Sequence, residues 1–149
     1  MRHLRPLLFL FLCSSYCTFG QNTVCFEFSV PPSGPGLNIF SKYIEVFGCG
    51  IYAEENVPDE KVLHAAAIFA ELLDNDEDGV VDDPALLSAL QDRQALMPIF
   101  TSDGSPWMNT FFDNYDGDGV GAVLWQQEID PFQPGYWGAD ASVEEIMHT

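Results

Sequence analysis

The sequence predicts an α+β fold, in which a small N-terminal strand pair is followed by a helix–loop–helix and a short C-terminal helix. Three observations support this prediction. Two early segments are rich in β-branched and aromatic residues, a helical period begins near residue 58, and a helix-start pattern lies close to residue 149. With 149 residues, of which 47% are hydrophobic, the chain is long enough for one domain with its own core.

The first twenty residues have the parts of a secretory signal peptide. Arg2 and Arg5 give a basic start, residues 7–12 form an apolar centre, and small residues stand at the cleavage positions. An amphipathic core helix is the alternative, but no polar residue interrupts the apolar run, which is too short to span a bilayer. We therefore expect residues 1–20 to be removed and residues 21–149 to form a single, secreted acidic domain.

The charge of the chain is strongly negative. Removal of the two N-terminal arginines takes the formal net charge from −18 to −20. Such a chain repels nucleic acids and anionic membranes, so neither is an expected partner. The partners that its charge favours are cations, basic proteins and cation-bearing surfaces.

The strand pair is predicted from two segments, TVCFEFSV (residues 23–30) and NIFSKYIEVFGCGIYA (residues 38–53). Two glycines in the second segment indicate a bulge or a bend. The segments carry the two cysteines of the mature chain, Cys25 and Cys49. In an oxidising compartment such a pair is most simply one disulfide, and two buried thiols are the alternative.

A helical period follows the strands. Pro58 suits a first helical turn and Asp59 complements the helix dipole there. The apolar positions of this helix share one face: Val62, Ala66, Phe69 and Leu73. A second helix is predicted after the acidic segment, with Asp83 as its cap, Pro84 at its start and apolar positions that continue to Met97.

The acidic segment between the two helices is LLDNDEDGVVDDPALL, residues 72–87. Counted from Asp74, its oxygen-bearing and turning residues have a regular spacing: Asp74, Asp76 and Asp78 at positions 1, 3 and 5, Gly79 at 6, Val80 at 7 and Asp82 at 9. This is the calcium-loop pattern of the EF-hand, in which alternate side chains face a hard cation and glycine permits a sharp turn. The sequence therefore predicts an EF-hand-like calcium site.

The pattern departs from the EF-hand at its end. Position 12, where a bidentate glutamate normally closes the site, is Ala85. Closure is then expected from Asp82, Asp83 or a carboxylate elsewhere, and the affinity is expected to be weak, on the order of 10⁻⁴ to 10⁻³ M. The spacing also resembles the calcium repeats of extracellular matrix proteins, which lack that glutamate. A solvated acidic turn that binds nothing is the alternative.

A second candidate metal site lies in FFDNYDGDGVGAV, residues 111–123. Its candidate ligands are Asn114, Asp116, Asp118 and the carbonyl of Val120, with Gly119 at the turning position. The second half of the segment supplies no further ligand, so an ordinary acidic turn is the alternative.

The C-terminal segment carries a weaker metal candidate. Ser142 and Glu145 have the spacing of a capping box, which predicts a helix. Glu145 and His148 then share a face at the spacing of carboxylate–histidine metal sites, although a surface helix end is the favoured interpretation. His64 is interpreted as a histidine at the edge of the core. The sequence contains no complete catalytic constellation, which favours a non-enzymatic role.

The segments VPDEKVLHAAAIFAELLDNDEDGVVDDPAL and GADASVEEIMHT resemble a family of secreted, largely uncharacterised proteins of marine invertebrates and some bacteria. The family includes skeletal organic matrix proteins of stony corals. The likeness covers residues 43–149, and members continue past the Glu-Glu-x-x-His segment, so the chain is expected to be shortened there. The resemblance implies secretion and an association with a calcium carbonate skeleton, but no activity.

These observations predict a secreted, acidic calcium-binding protein of an extracellular or biomineral matrix. Its expected partners are calcium ions, a calcium carbonate surface and matrix proteins. Two alternatives stay open: the N-terminal part of a secreted metal-dependent hydrolase, and a non-mineral extracellular binding module with structural calcium.

Overall fold

The computed structural model describes residues 26–132 and 140–149. In these ranges four strands form one sheet in the order β1-β2-β3-β4, accompanied by four α-helices and two short 3-10 helices. The elements are β1 (Lys42–Val46), β2 (Cys49–Ala53), α1 (Asp59–Leu73), α2 (Pro84–Asp92), β3 (Leu96–Phe100), α3 (Pro106–Asn114), β4 (Leu124–Trp125) and α4 (Ser142–Met147), with 3-10 helices at Leu37–Ile39 and Gln126–Glu128. The α+β class, the strand pair and the short C-terminal helix are confirmed.

Two of the sequence predictions concern residues outside these ranges, the signal peptide at residues 1–20 and the cysteine at position 25. Cys49 is fully buried at the start of β2. The described ranges contain no disulfide, so a Cys25–Cys49 bridge stays a prediction. None of the helices in the described part of the chain has both the length and the apolar character needed to cross a bilayer.

The strand pair is a tight hairpin. β1 and β2 are antiparallel, and the two residues between them, Phe47 and Gly48, have φ angles of 48° and 83°. Positive φ at both positions matches the right-handed twist of the strands that flank such a turn. Residues 38–53, predicted as one strand with a bend, therefore supply both strands. In residues 26–30, the described part of the earlier predicted segment, one isolated bridge joins Ser29 to Tyr43.

The prediction that the second helix continues to Met97 was wrong. The helix ends at Asp92, Gln94 adopts a φ of 54°, and Met97 lies in β3. β3 pairs in parallel with β2 on one side and with β4 on the other, and all five of its residues are buried. A strand buried on both faces is a continuous apolar run, which periodicity alone cannot separate from a buried helix.

Both faces of the sheet carry a hydrophobic layer. On one face α1 buries the apolar residues predicted for it, together with Ala65 and Ala70, against strand residues such as Ile51 and Ile99. The other face carries an aromatic cluster that includes Phe40 before β1, Phe100 of β3 and Phe111 of α3. The fold therefore has helical cover on both sides of a small, largely parallel sheet.

The C-terminal helix α4 is held to α1 by a buried polar contact. The predicted capping box does not form, because Ser142 is the first helical residue and is fully buried. Asp140 acts in its place: its Oδ1 accepts a hydrogen bond from the Ser142 N–H at 3.0 Å, and its Oδ2 lies 2.6 Å from His64 Nε2. His64, interpreted as a core-edge histidine, thus joins two elements that are far apart in sequence.

The pKa of Asp140 has a consequence for stability. Burial acts to raise this pKa, but hydrogen bonds from Ser142 and His64 outweigh burial and hold it below its ordinary value. A depressed carboxyl pKa stabilises the folded state above the ordinary value, and this contribution is lost as the pH falls through the folded value. The anchoring of α4 should therefore weaken in acid.

Replacement of Asp140 by Asn should lower the free energy of unfolding at pH 7 by about 1.5–3 kcal/mol, because a charged hydrogen-bond acceptor is removed from a buried site. The difference from the unmodified protein should shrink as the pH falls from about 5 to 3. Urea denaturation across this pH range measures both effects. Asp113→Asn, the same change at an exposed position on α3, is the control. Parallel stability profiles for Asp140→Asn and the unmodified protein would contradict the assignment.

Candidate metal centre

The acidic loop is organised by Asp74, the C-cap residue of α1. Its side chain is buried, with 4% of the residue exposed. One carboxylate oxygen accepts a hydrogen bond from the Asp78 N–H at 3.1 Å, and the other accepts from the Gly79 N–H at 2.8 Å. Gly79 has a φ of 86°, which an L-residue rarely adopts and which turns the chain back toward Asp74. The first carboxylate of the pattern therefore fixes the shape of the loop.

The three carboxylates at positions 1, 3 and 5 meet in space, as the spacing predicts. One oxygen each from Asp74, Asp76 and Asp78 lies within 4.8 Å of the others. Asp74 forms the buried base of this group, and Asp76 and Asp78 are exposed. An arrangement of this kind could hold a metal ion, because hard cations take several oxygen ligands at short distance.

The electrostatics of the group are unfavourable without a cation. The pKa of Asp76 is raised, first by the negative charge of Asp78 and then by slight desolvation, with smaller contributions from Asp82 and Asp74. A backbone hydrogen bond at Asp78 opposes the shift without cancelling it. Like charges held this close repel each other, and a bound cation or a proton would relieve the repulsion.

Hydrogen bonds of Asp82 hold the two ends of the loop together. Asp82 Oδ2 accepts a hydrogen bond from the Asn75 N–H at 2.8 Å, and the Asp82 N–H donates to the carbonyl of Leu73 at 2.9 Å. Val81 between them is buried in the core. The Val80 N–H donates to Asp78 Oδ1 at 2.8 Å. Val80 and Asp82 therefore both stabilise the loop by hydrogen bonds between its own residues.

Asp83, the other candidate for closure, is the N-cap of α2. Its Oδ1 accepts hydrogen bonds from the backbone N–H groups of Ala85 and Leu86, at 3.0 and 3.1 Å. Pro84 begins the helix, so both the cap and the helix–loop–helix order are as predicted. Asp82 and Asp83 lie outside the group of three carboxylates whose oxygens meet within 4.8 Å, and their part in a metal site stays a prediction.

The second acidic segment has a different conformation. Asn114 is the last residue of α3, and its side-chain amide donates to the carbonyl of Thr110 at 2.7 Å. Asp116 and Asp118 are exposed, and the carbonyl of Asp118 accepts a hydrogen bond from Arg93 at 3.0 Å. Val120 packs against the aromatic cluster of the sheet. A metal site at these residues stays a prediction.

Gly119 shows why two similar segments fold differently. Gly119 does not have the positive φ of Gly79. A Cβ at this position would lie 2.1 Å from the carbonyl oxygen of Gln94, and the Gly119 carbonyl accepts a hydrogen bond from the Leu96 N–H at 2.9 Å. The glycine is therefore required for close backbone contact with the start of β3, and not for a turn around a cation.

Glu145 and His148 share a face of the C-terminal segment, as predicted. The distance from Glu145 Oε2 to His148 Nδ1 is 3.8 Å, and the histidine side chain is largely exposed. Within the described ranges, no group of three metal-ligating side chains includes this pair. The geometry is that of a close carboxylate–imidazole contact at a helix end.

Besides Asp140, a second buried carboxylate was not predicted from the sequence. Glu54 follows β2, is 5% exposed, and accepts hydrogen bonds from Ser105 Oγ and, at 2.8 Å, from Thr101 Oγ1. It thereby connects the ends of two parallel strands to the start of α3. Its neighbour in sequence, Glu55, is exposed, and no local pattern separates the two.

No protein-family model matches the chain, and no curated protein or solved structure matches it significantly.

Proposed function

We propose that the loop at residues 74–82 binds calcium and that the protein is a secreted, acidic calcium-binding component of an extracellular or biomineral matrix. The convergence of Asp74, Asp76 and Asp78 carries the first part of this proposal. The N-terminal signal pattern, the net charge of −18 and the resemblance to skeletal matrix proteins support the second part.

Several features favour calcium over magnesium. The loop offers three carboxylate oxygens, and the missing position-12 glutamate leaves the remaining ligands to carbonyls and water. Calcium accepts six to eight oxygens in flexible geometry, whereas magnesium requires a near-octahedral shell and loses water reluctantly. Because two of the three carboxylates are exposed, the geometry of the site can adapt to the larger ion.

Calcium would also stabilise the fold, since Asp74 connects the loop to the core. The carboxylate that would bind the ion also ends α1 and holds the backbone of the loop. A bound cation would neutralise the repulsion that raises the pKa of Asp76. This coupling favours the structural-calcium module as the second candidate function, with the same site and no mineral partner.

Calcium at millimolar concentration should raise the melting temperature of the purified protein, and magnesium should raise it less. If calcium is present at 100 times its dissociation constant, linkage contributes about 2.7 kcal/mol to the free energy of unfolding. Asp76→Asn should lose most of this shift, because it removes one of the three converging carboxylate charges that would bind the ion. Glu77→Gln, the same loss of charge at the next residue, should keep it. Isothermal calorimetry and thermal denaturation measure the effect. No heat of binding and no shift at about 10 mM calcium, in a folded sample, would contradict calcium binding.

The two variants should behave differently when calcium is removed. In a chelator at pH 7, Asp76→Asn should melt at or above the temperature of the unmodified protein, because the raised pKa shows that the Asp76 charge is unfavourable in the folded loop. For the same reason, calcium affinity should fall as the pH is lowered and protons compete for Asp76. Thermal melts with chelator and with calcium, compared with Glu77→Gln, measure this reversal. A lower melting temperature for Asp76→Asn under both conditions would show that its charge has a structural role instead.

The mineral part of the proposal has a separate test. The secreted protein should be depleted from solution by calcium carbonate particles and not by silica particles of equal surface area. Both Asp76→Asn and Glu77→Gln should still be depleted, because a mineral surface would interact with the acidic surface as a whole. Depletion is measured from the protein left in solution. Calcium binding without depletion would favour the structural-calcium module over the matrix protein.

A further inference from the structure

A cavity of about 420 Å³ lies on the aromatic face of the sheet and shares no residue with the acidic loop. It is bounded by the hairpin turn, the starts of β2 and β3, and the segment at residues 32–35. Its volume is within the range of about 300–1,000 Å³ for small-molecule sites. Seven of the described side chains that line it carry polar groups: Ser33, Tyr43, Tyr52, Tyr115, Gln91, Gln94 and Asp116.

The tyrosine rings are held in fixed positions. Tyr43 and Tyr52 pack against each other with centroids 4.8 Å apart at 59°, and Tyr115 stacks on Phe111 at 4.9 Å and 19°. Gly50 lies beside the first pair, and a Cβ there would be 2.5 Å from the ring of Tyr52. The walls of the cavity are therefore formed before any ligand binds, which reduces the entropy lost on binding.

The three phenol groups stay protonated at neutral pH. Burial raises the pKa of Tyr43 to about 12 and also raises the pKa values of Tyr52 and Tyr115. Tyr52 adds to the shift of Tyr43, and Tyr115 adds to that of Tyr52, so the hydroxyl groups are electrostatic neighbours. Each neutral hydroxyl can both donate and accept a hydrogen bond.

Amide and carboxylate groups complete the polar part of the wall. The amide of Gln91 is held by a hydrogen bond from Nε2 to the carbonyl of Phe47 at 2.9 Å. Gln94 and Asp116 are exposed at the cavity. Asp116 belongs to the second acidic segment, so this residue has a place in the structure that does not depend on a metal ion.

Charge limits the ligands that this cavity can take. None of the described residues that line it is Lys, Arg or His, and the chain carries a net charge of −18, which disfavours anions. An organic cation needs open aromatic faces. Here one face of Tyr115 is covered by Phe111, and Tyr43 and Tyr52 are buried and turned against each other. Asp116 is the one carboxylate among the described lining residues, and Glu45 lies beside the cavity only at the Tyr43 hydroxyl, which donates to Glu45 Oε2 at 3.4 Å. A neutral ligand rich in hydroxyl groups remains.

We propose that this cavity binds a neutral saccharide, as a short stretch of an uncharged polysaccharide. Its hydroxyl groups would exchange hydrogen bonds with the phenols, the carboxamides and Asp116. The proposal does not depend on calcium binding, because the cavity and the acidic loop have no residue in common.

The test is calorimetric titration of the purified protein with hexasaccharides of glucose, N-acetylglucosamine and mannose, and with tetramethylammonium as a cationic probe. At least one saccharide should bind with a dissociation constant on the order of 0.1–1 mM. Tyr115→Phe, which removes one hydroxyl and keeps the ring, and Gln94→Ala should each weaken binding by about three- to tenfold. Phe112→Ala, which removes an exposed aromatic side chain of α3 outside the cavity, should have no effect.

Asp116→Asn separates the two ligand classes. An amide can still hydrogen-bond a sugar, so saccharide binding should persist within a few-fold, and added salt should have little effect on it. Three results would overturn the proposal: no saccharide binding at about 10 mM, binding that only Phe112→Ala weakens, or binding of tetramethylammonium alone that Asp116→Asn abolishes.

Discussion

The central strand β3 is the constraint on which the rest of the structure depends. It pairs in parallel on both sides, and every one of its residues is buried. A strand of this kind needs a hydrophobic layer on each face of the sheet. α1 supplies one layer, and α3 with the aromatic cluster supplies the other. The acidic loop and the tyrosine cavity are both positioned by these layers, the loop at the end of α1 and the cavity beside the start of β3.

The acidic loop is connected to this core through one carboxylate. A buried carboxylate is costly unless hydrogen bonds satisfy it, and Asp74 obtains two from the backbone of the loop that it begins. The same bonds bring Asp78 close to Asp74 and leave Asp76 and Asp78 exposed to solvent. The loop thus keeps its shape through neutral backbone donors, and its unbalanced negative charge is directed outward, where a cation can reach it.

The two acidic segments show that similar short sequences can adopt different conformations. Both contain an Asp-x-Asp-Gly sequence after a helix. In the first, Gly79 turns the chain with a positive φ; in the second, Gly119 allows backbone contact with Gln94. The difference arises because the second segment leads directly into β4 and must lie against the start of β3. As a result, Asp116 becomes part of a cavity wall, and the tyrosines of that wall are drawn from three separated parts of the chain.

The sequence by itself determined the features that depend on near neighbours in the chain. The apolar face of α1, the cap at Asp83 and the meeting of Asp74, Asp76 and Asp78 all follow from spacings of a few residues, within which local geometry decides the outcome. Tertiary structure alone decided the strand at Met97, the contact between Asp140 and His64, and the cavity. These features depend on pairing and burial between residues distant in sequence. A local sequence pattern does not show which distant segment will pack against it.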